Sequence, residues 1–306
     1  DTSIFVSASI GVCEYPTHGS NLETLIRNAD TAMYHAKRNG RDQYRVYADE
    51  MTHEVNDIIE TNIGLRQAIT NDELEVYFQP KVDLNSQEII GAEALIRWRS
   101  PTRGLVSPLD FIPLAEDTGM IIEIGQQILS QACHETQSQI SKGIWPTSFS
   151  LHVNMSVREL LQADYVEKVR QILLSSGLPA SNLALEVTES RLVTQPNITN
   201  KILQELRDLG IKVAIDDFGT GYSSLSYLTN LPFDSVKIDR SFVKEMLENQ
   251  KYEKMIGTII NMAHSYDAYI VAEGIECAEQ AEMLKSYGCR YAQGFYYSKP
   301  KPLNEW

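Results

Sequence analysis

From residue 71 onward, short apolar runs alternate with amphipathic stretches, and the period of each run predicts its element. EVYFQP (75–80), IIGAEAL (89–95), FSLHVNM (149–155) and LALEVTE (183–189) read as strands, followed by KVAIDD (212–217), SVKID (235–239), YIVAEG (269–274) and YAQGFYY (291–297). Helical spacing separates the later runs, as in NKILQELRDLG (200–210) and KYEKMIGTIINMAHSYD (251–267). Eight strands with intervening helices over about 235 residues fit an α/β fold of the closed, TIM-like (β/α)8 barrel type. The first two strands are joined only by KVDLNSQE, too short for a helical crossover. They are expected to pair as a hairpin, leaving one antiparallel strand in an otherwise parallel barrel.

Residues 1–48 follow another pattern. IFVSASIGVCEYP alternates like a half-buried strand, and NLETLIRNADTAMYHAKRNG is an amphipathic helix with Gly40 as its stop. One strand and one helix cannot bury a core, so this α/β segment reads as a fragment of a larger domain. Between the parts, Met51, Val55, Ile58, Ile59, Ile63 and Ile69 recur at mostly helical spacing, which predicts a linker helix over 49–70 and a barrel domain over 71–306.

Composition narrows the partners. A formal net charge of −14 excludes a long nucleic-acid groove, which needs a basic face, yet permits a small phosphorylated substrate held through cations. No apolar run approaches the roughly 18–20 residues of a membrane span. The four cysteines show neither zinc spacing nor a disulfide framework, which suits a cytoplasmic setting, with any membrane anchor belonging to a further N-terminal region.

The chemistry sits at the strand ends. Glu93, Asn154, Glu186, Asp216, Lys237, Glu273 and Gln293 each lie near the C-terminal end of a predicted strand. Strand parity gives them a common direction. Glu186 shares a face with Ala184, Asp216 with Ala214, Lys237 with Ser235 and Asp239, and Glu93 with Gly91 and Arg97. The intervening Leu185, Val187, Val213, Ile215, Val236 and Ile238 are apolar and would face the surrounding helices. The polar set would converge on the barrel mouth, where such folds place their chemistry. His152 shares the parity of Asn154 and reads as a satisfied interior residue. Carboxylates and amides without thiolates favour a hard cation, Mg2+ or Mn2+, and five carboxylates exceed what one ion needs. In VAIDDFGTGYSSL (213–225), the adjacent Asp216 and Asp217 offer a bridge between two ions, an arrangement suited to in-line displacement at phosphorus.

These residues spell out a known order. EAL (93–95) followed by IRW, then HVNMS, EVTES, DDFGTGYSSL, VKIDR, AEGIE and QGFYYSKP, resembles the EAL-domain cyclic-di-GMP phosphodiesterases from about residue 71 to residue 306. ASIGVCEYP and ADTAMYHAKRNGRDQY within 1–48 resemble the C-terminal end of a GGDEF diguanylate cyclase domain, although the GGDEF motif itself is absent from this sequence. The resemblance implies hydrolysis of cyclic di-GMP to linear pGpG. It implies one ion on Glu93, Asn154, Glu186 and Asp216 and a second on Asp216, Asp217 and Glu273. Lys237 would polarise the attacking water, with Asp239 and Gln293 in the same shell. Lys237, Glu273, Glu93 and Asp216 form the implied catalytic set. Arg97 would contact phosphate, with Gln79, Leu95, Asp239 and Gln293 also placed at the substrate. Glu189 would anchor the FGTGYSS loop and Glu276 would support Glu273. The loop and its neighbouring helix are expected to carry a homodimer contact. A non-catalytic cyclic-di-GMP receptor, the alternative, would be expected to have lost one of these ligands, and none is lost.

Overall fold

The computed structural model describes residues 6–189, 195–220 and 231–306. The chain divides into two units, Asp1–Gln67 and Ala68–Trp306. In the first, strands β1 (Ile10–Val12) and β2 (Tyr44–Val46) pair in parallel around the helix Leu22–Arg38. Asn21 caps that helix by accepting the Thr24 N–H at 2.8 Å. Gly11 lets the strand lie against it, since a Cβ there would come within 1.9 Å of the Ala29 carbonyl oxygen. The segment expected to link the two parts is helical over Asp49–Thr70.

In the second unit, strands β3 (Leu74–Asp83), β4 (Ile89–Ser100), β6 (Ser150–Asn154) and β7 (Leu183–Thr188) continue into β8 (Lys212–Phe218), β9 (Ser235–Ile238), β10 (Tyr269–Ala272) and β11 (Tyr291–Ala292). Two short strands, β5 (Gly104–Val106) and β12 (Lys301–Pro302), extend the edges of β4 and β3. The ring runs β3-β11-β10-β9-β8-β7-β6-β4 and closes through β3–β4. Every pairing within that ring is parallel except the two made by β3, so the barrel has its eight strands with the first one reversed, as the short hairpin connection requires. The outward positions Leu185, Val187, Val213, Ile215, Val236 and Ile238 are all buried, as their parity predicted. Among the described residues no helix is long and apolar enough to cross a membrane.

Two boundaries differ from the sequence reading. β3 runs on to Asp83, so Lys81 belongs to a strand lining the barrel and not to the turn. The last strand stops at Ala292 instead of Tyr297, because the chain must bend at Gly294, where a Cβ would lie 2.1 Å from the Ile275 carbonyl oxygen. β5 carried too few residues to show any period.

Candidate active site

On a regular strand neighbouring side chains point to opposite faces, so Asp216 and Asp217 could not share a site. The β8–β9 register shifts between Ile215 and Phe218, and Asp217 takes a left-handed backbone with φ of 54°. Aspartate tolerates that conformation better than most residues, at a cost on the order of 1 kcal/mol. The irregularity brings one carboxylate oxygen each of Asp216, Asp217 and Glu273 within 4.8 Å of one another. The Asp217 N–H also donates to Asp216 Oδ1 at 2.9 Å, fixing that carboxylate.

Lys237, 1% exposed, rises from β9 into the middle of the acids. Its Nζ lies 2.6 Å from Glu273 Oε1, 3.1 Å from Asp216 Oδ1 and 3.5 Å from Glu93 Oε2, and it donates to Glu186 Oε2. Glu93 accepts from Asn154 Nδ2 at 2.6 Å and from Gln293 Nε2 at 2.7 Å. Gln293 also donates to Gln79 Oε1 at 2.8 Å, and Gln79 donates to the Ser298 carbonyl at 3.1 Å. Glu273 and Gln293 each sit one residue past the end of their strands, with their backbone N–H groups still bonded to the Ile238 and Ala272 carbonyls.

A second lysine was missed in the sequence. Lys81 is fully buried, and its Nζ donates to Glu186 Oε1 at 2.7 Å. His152 Nδ1 lies 2.8 Å from the same oxygen, and a carboxylate can only accept, so the ring donates there and its Nε2 takes the Ser150 hydroxyl at 3.1 Å. The signal was parity: Lys81 pairs with Gly91 and Gln79 with Glu93, so Lys81 and Gln79 lie on the inward face of β3. His152 is a satisfied interior histidine, as expected, but its partner is one of the site's own carboxylates.

Arg97 and Leu95 lie on β4 and line a cavity of about 700 Å3 with Gln79, Glu93, Asp216, Lys237, Glu273 and Gln293. The Arg97 guanidinium donates to the Ile96 carbonyl at 2.7 Å and lies 5.5 Å from the Tyr77 ring centre. Arg240 and Lys244, not singled out in the sequence, add positive charge to the wall. Asp239 follows β9 and caps the helix Arg240–Glu245, accepting the Ser241 N–H at 3.0 Å. Glu276 is exposed on the cavity wall. Glu189 is buried and accepts the Gly219 N–H at 2.8 Å, at the start of the FGTGYSS loop. Gly219 has φ of +95° and stands 3.0 Å, measured from an added Cβ, from the Phe242 ring, so no other residue suits it. Residues 221–224 of that loop lie outside the described residues.

Burial and crowding set the charges. Burial pushes Asp216 up to about 6 and Glu273 up to about 8, with Lys237 opposing both shifts. Asp217 is raised as well, by burial and then by Asp239. Burial also works against ionised Glu186, but Lys237, Lys81 and His152 outweigh it and hold that carboxyl well below the usual range. Burial alone would favour neutral Lys237, yet Asp216, Glu186, Glu273 and Glu93 keep its pKa well above the ordinary lysine value. His152 is pushed down to about 4 by burial and by Lys81, so its ring is neutral near pH 7.

The donor set suits a hard divalent cation. The three converging oxygens of Asp216, Asp217 and Glu273 are carboxylate, with no thiolate or imidazole among them, and burial raises the pKa of each of the three carboxyls. Glu93 and Glu186 join the cluster through Lys237, and Asn154 donates to Glu93.

The model of the EAL domain matches residues 64–300, and that of the diguanylate cyclase GGDEF domain matches residues 1–43. The chain is 39% identical over 300 residues to the bifunctional diguanylate cyclase/cyclic di-GMP phosphodiesterase MucR of Pseudomonas aeruginosa, covering 98% of this chain and 44% of that protein. It is 36% identical to the cyclic di-GMP phosphodiesterase PdeR of Escherichia coli over 299 residues, 98% of this chain and 45% of that one. The chain thus spans less than half the length of these curated relatives. Among solved structures, the PaMucR phosphodiesterase in complex with c-di-GMP superposes with a TM-score of 0.77 at 38% identity, covering 80% of this chain and 99% of that chain.

Proposed function

Since the chain belongs to the EAL domain family, with a GGDEF-domain segment before it, we propose that it hydrolyses cyclic di-GMP to linear pGpG with the help of two Mg2+ or Mn2+ ions at the barrel mouth. The observation that carries this reading is the convergence of Glu93, Glu186, Asp216 and Glu273 on one buried ammonium, beside the Asp216–Asp217–Glu273 cluster. So much opposed charge in one pocket serves no packing purpose, and it faces a cavity wide enough for a nucleotide.

Glu93, Asn154, Glu186 and Asp216 would hold one ion, and Asp216, Asp217 and Glu273 the other. When bound, such ions supply charge to stabilise the transition state and to acidify water. Lys237 keeps its proton and therefore acts as a donor that holds the attacking water by its lone pair. Glu273, in contact with Lys237, would help hold an ion there as an ionised carboxylate, and the proton that the water gives up passes to solvent. Water adds to phosphorus, one P–O3′ bond breaks, and the 3′ oxygen takes up a proton, which leaves the 5′ phosphate of pGpG. Arg97 offers its guanidinium to a phosphate, and Gln79, Leu95 and Gln293 shape the pocket around it, with Asp239 at the start of the adjoining helix Arg240–Glu245. Incubating the chain with cyclic di-GMP and Mn2+ and separating the nucleotides tests this: pGpG should accumulate. Tight binding with the cyclic dinucleotide intact would instead identify a receptor.

Glu189 holds Gly219 three residues after Asp216. We expect this bond to steady the aspartate pair and, through the loop and its neighbouring helix, to tie the site to a homodimer contact. Glu189→Ala should raise the Mg2+ concentration for half-maximal activity by about tenfold, as loss of an outer support does elsewhere. An unchanged Mg2+ titration would reduce Glu189 to a turn residue.

A further inference from the structure

The carboxylate of Glu186 reaches between the two ends of the barrel. Its Oε2 meets Lys237 at the mouth, while its Oε1 takes both Lys81 and His152 from below. The lower pair borders a separate cavity of about 650 Å3, lined by Ser150, Ala184, Lys212, Ser235 and Tyr269 from the beginnings of the parallel strands. Lys81 reaches this level because β3 runs backwards: two residues after Gln79, which faces the mouth, the chain has descended to the row of Gly91 and Ser150. Gly91 lies level with Lys81 and Ala184 level with His152, so small residues flank the long side chain and the ring. Glu186 and Lys81 are essentially inaccessible to solvent, at 1% and 0% exposure, so neither contact is a surface accident.

We propose that Lys81 and His152 are positioning residues for the reaction at the mouth. They fasten the inner oxygen of Glu186 from the opposite end of the barrel, so that the outer oxygen is presented in one orientation to Lys237 and to a divalent ion. A carboxylate gripped by two donors on one oxygen cannot rotate about its last bond without breaking both. The His152 ring is itself held by the Ser150 hydroxyl, so the support is two bonds deep. The inference rests on the proposed use of Glu186 as a ligand, and it adds two residues that carry no part in the substrate pocket.

The sign of the metal response separates orientation from charge. Removing the positive charge of Lys81 would by itself tighten cation binding nearby, through simple electrostatics. Lost orientation weakens it. The test titrates Mn2+ against wild type, Lys81→Met, His152→Leu and His152→Asn, following the free-ion electron paramagnetic resonance signal without substrate, with circular dichroism melts confirming the fold. Asparagine can place an N–H near the position of Nδ1, whereas leucine cannot. Mn2+ binding should weaken by about 10–100-fold in Lys81→Met and His152→Leu and recover most of that loss in His152→Asn, with kcat following and the KM for cyclic di-GMP within about twofold of wild type. Folded variants that bind Mn2+ as well as wild type, or more tightly, would overturn the proposal, as would an asparagine variant no better than leucine. If Lys81→Met does not fold, the leucine and asparagine pair decides. Should wild type bind Mn2+ yet leave cyclic di-GMP intact, the hydrolytic reading fails while the Mn2+ series still decides the role of the pair.

Discussion

Lys237→Met should lower cyclic-di-GMP turnover by about two to four orders of magnitude while changing the KM little, because in the proposed reaction the ammonium acts on the water and not on the bound nucleotide. It should also destabilise the metal-stripped barrel. Four carboxylates within 3.5 Å of Nζ would lose their shared cation, and leaving buried charge uncompensated in this way costs about 3–5 kcal/mol, softened here because Asp216 and Glu273 already take up protons readily. Divalent ions can supply the missing charge. Mn2+ should therefore raise the melting temperature of Lys237→Met by more than it raises that of wild type. A variant with normal turnover and a weakened KM would make Lys237 a phosphate clamp instead.

The second large effect lies away from the mouth. Glu159, 6% exposed, caps the short helix Val157–Leu160 by accepting the Ser156 N–H at 2.8 Å. It packs against Gly125 so closely that a Cβ there would fall 1.8 Å from its carboxyl. Burial, and then the neighbouring Glu116, push its pKa up to about 8. In the unfolded chain it would titrate near the ordinary 4.5. A folded-state pKa above the unfolded one gives stability that is fully present below pH 4.5 and lost as pH rises through 8. At about 1.4 kcal/mol per pH step, the loss by pH 8 is on the order of 4 kcal/mol. Glu159→Gln keeps an acceptor for Ser156 and removes the titration, so urea unfolding of the barrel should show it stabilised by roughly 3 kcal/mol at pH 8 and nearly neutral at pH 4.5. An equal difference at both pH values would mean that the carboxyl does not titrate as described.

Much of this was legible in the residues. The outward apolar positions and inward Glu93, Glu186, Asp216 and Lys237 follow from period-2 alternation, which burial on both faces of a barrel strand enforces. The reversed first strand followed from the length of KVDLNSQE alone. Other features had no local signature. Alternation forbids Asp216 and Asp217 from sharing a face, and only the register shift against β9 and the left-handed Asp217 bring them together. Lys81 was hidden because a lysine after a proline reads as the start of a turn, when pairing with Gly91 in fact keeps it in the strand. The link from His152 to Glu186 crosses between two strands 34 positions apart, and no spacing rule reports such a meeting.

The most direct test of the account strips the protein of metal with a chelator and compares cyclic-di-GMP turnover before and after Mn2+ is restored, in wild type and in Asp216→Asn. The account predicts no pGpG from the stripped protein, full recovery with Mn2+ in wild type, and a residual rate lower by about three orders of magnitude in Asp216→Asn, whose substitution removes charge from both proposed ion sites. Undiminished turnover in the verified absence of divalent ions, or an Asp216→Asn variant as fast as wild type, would contradict it.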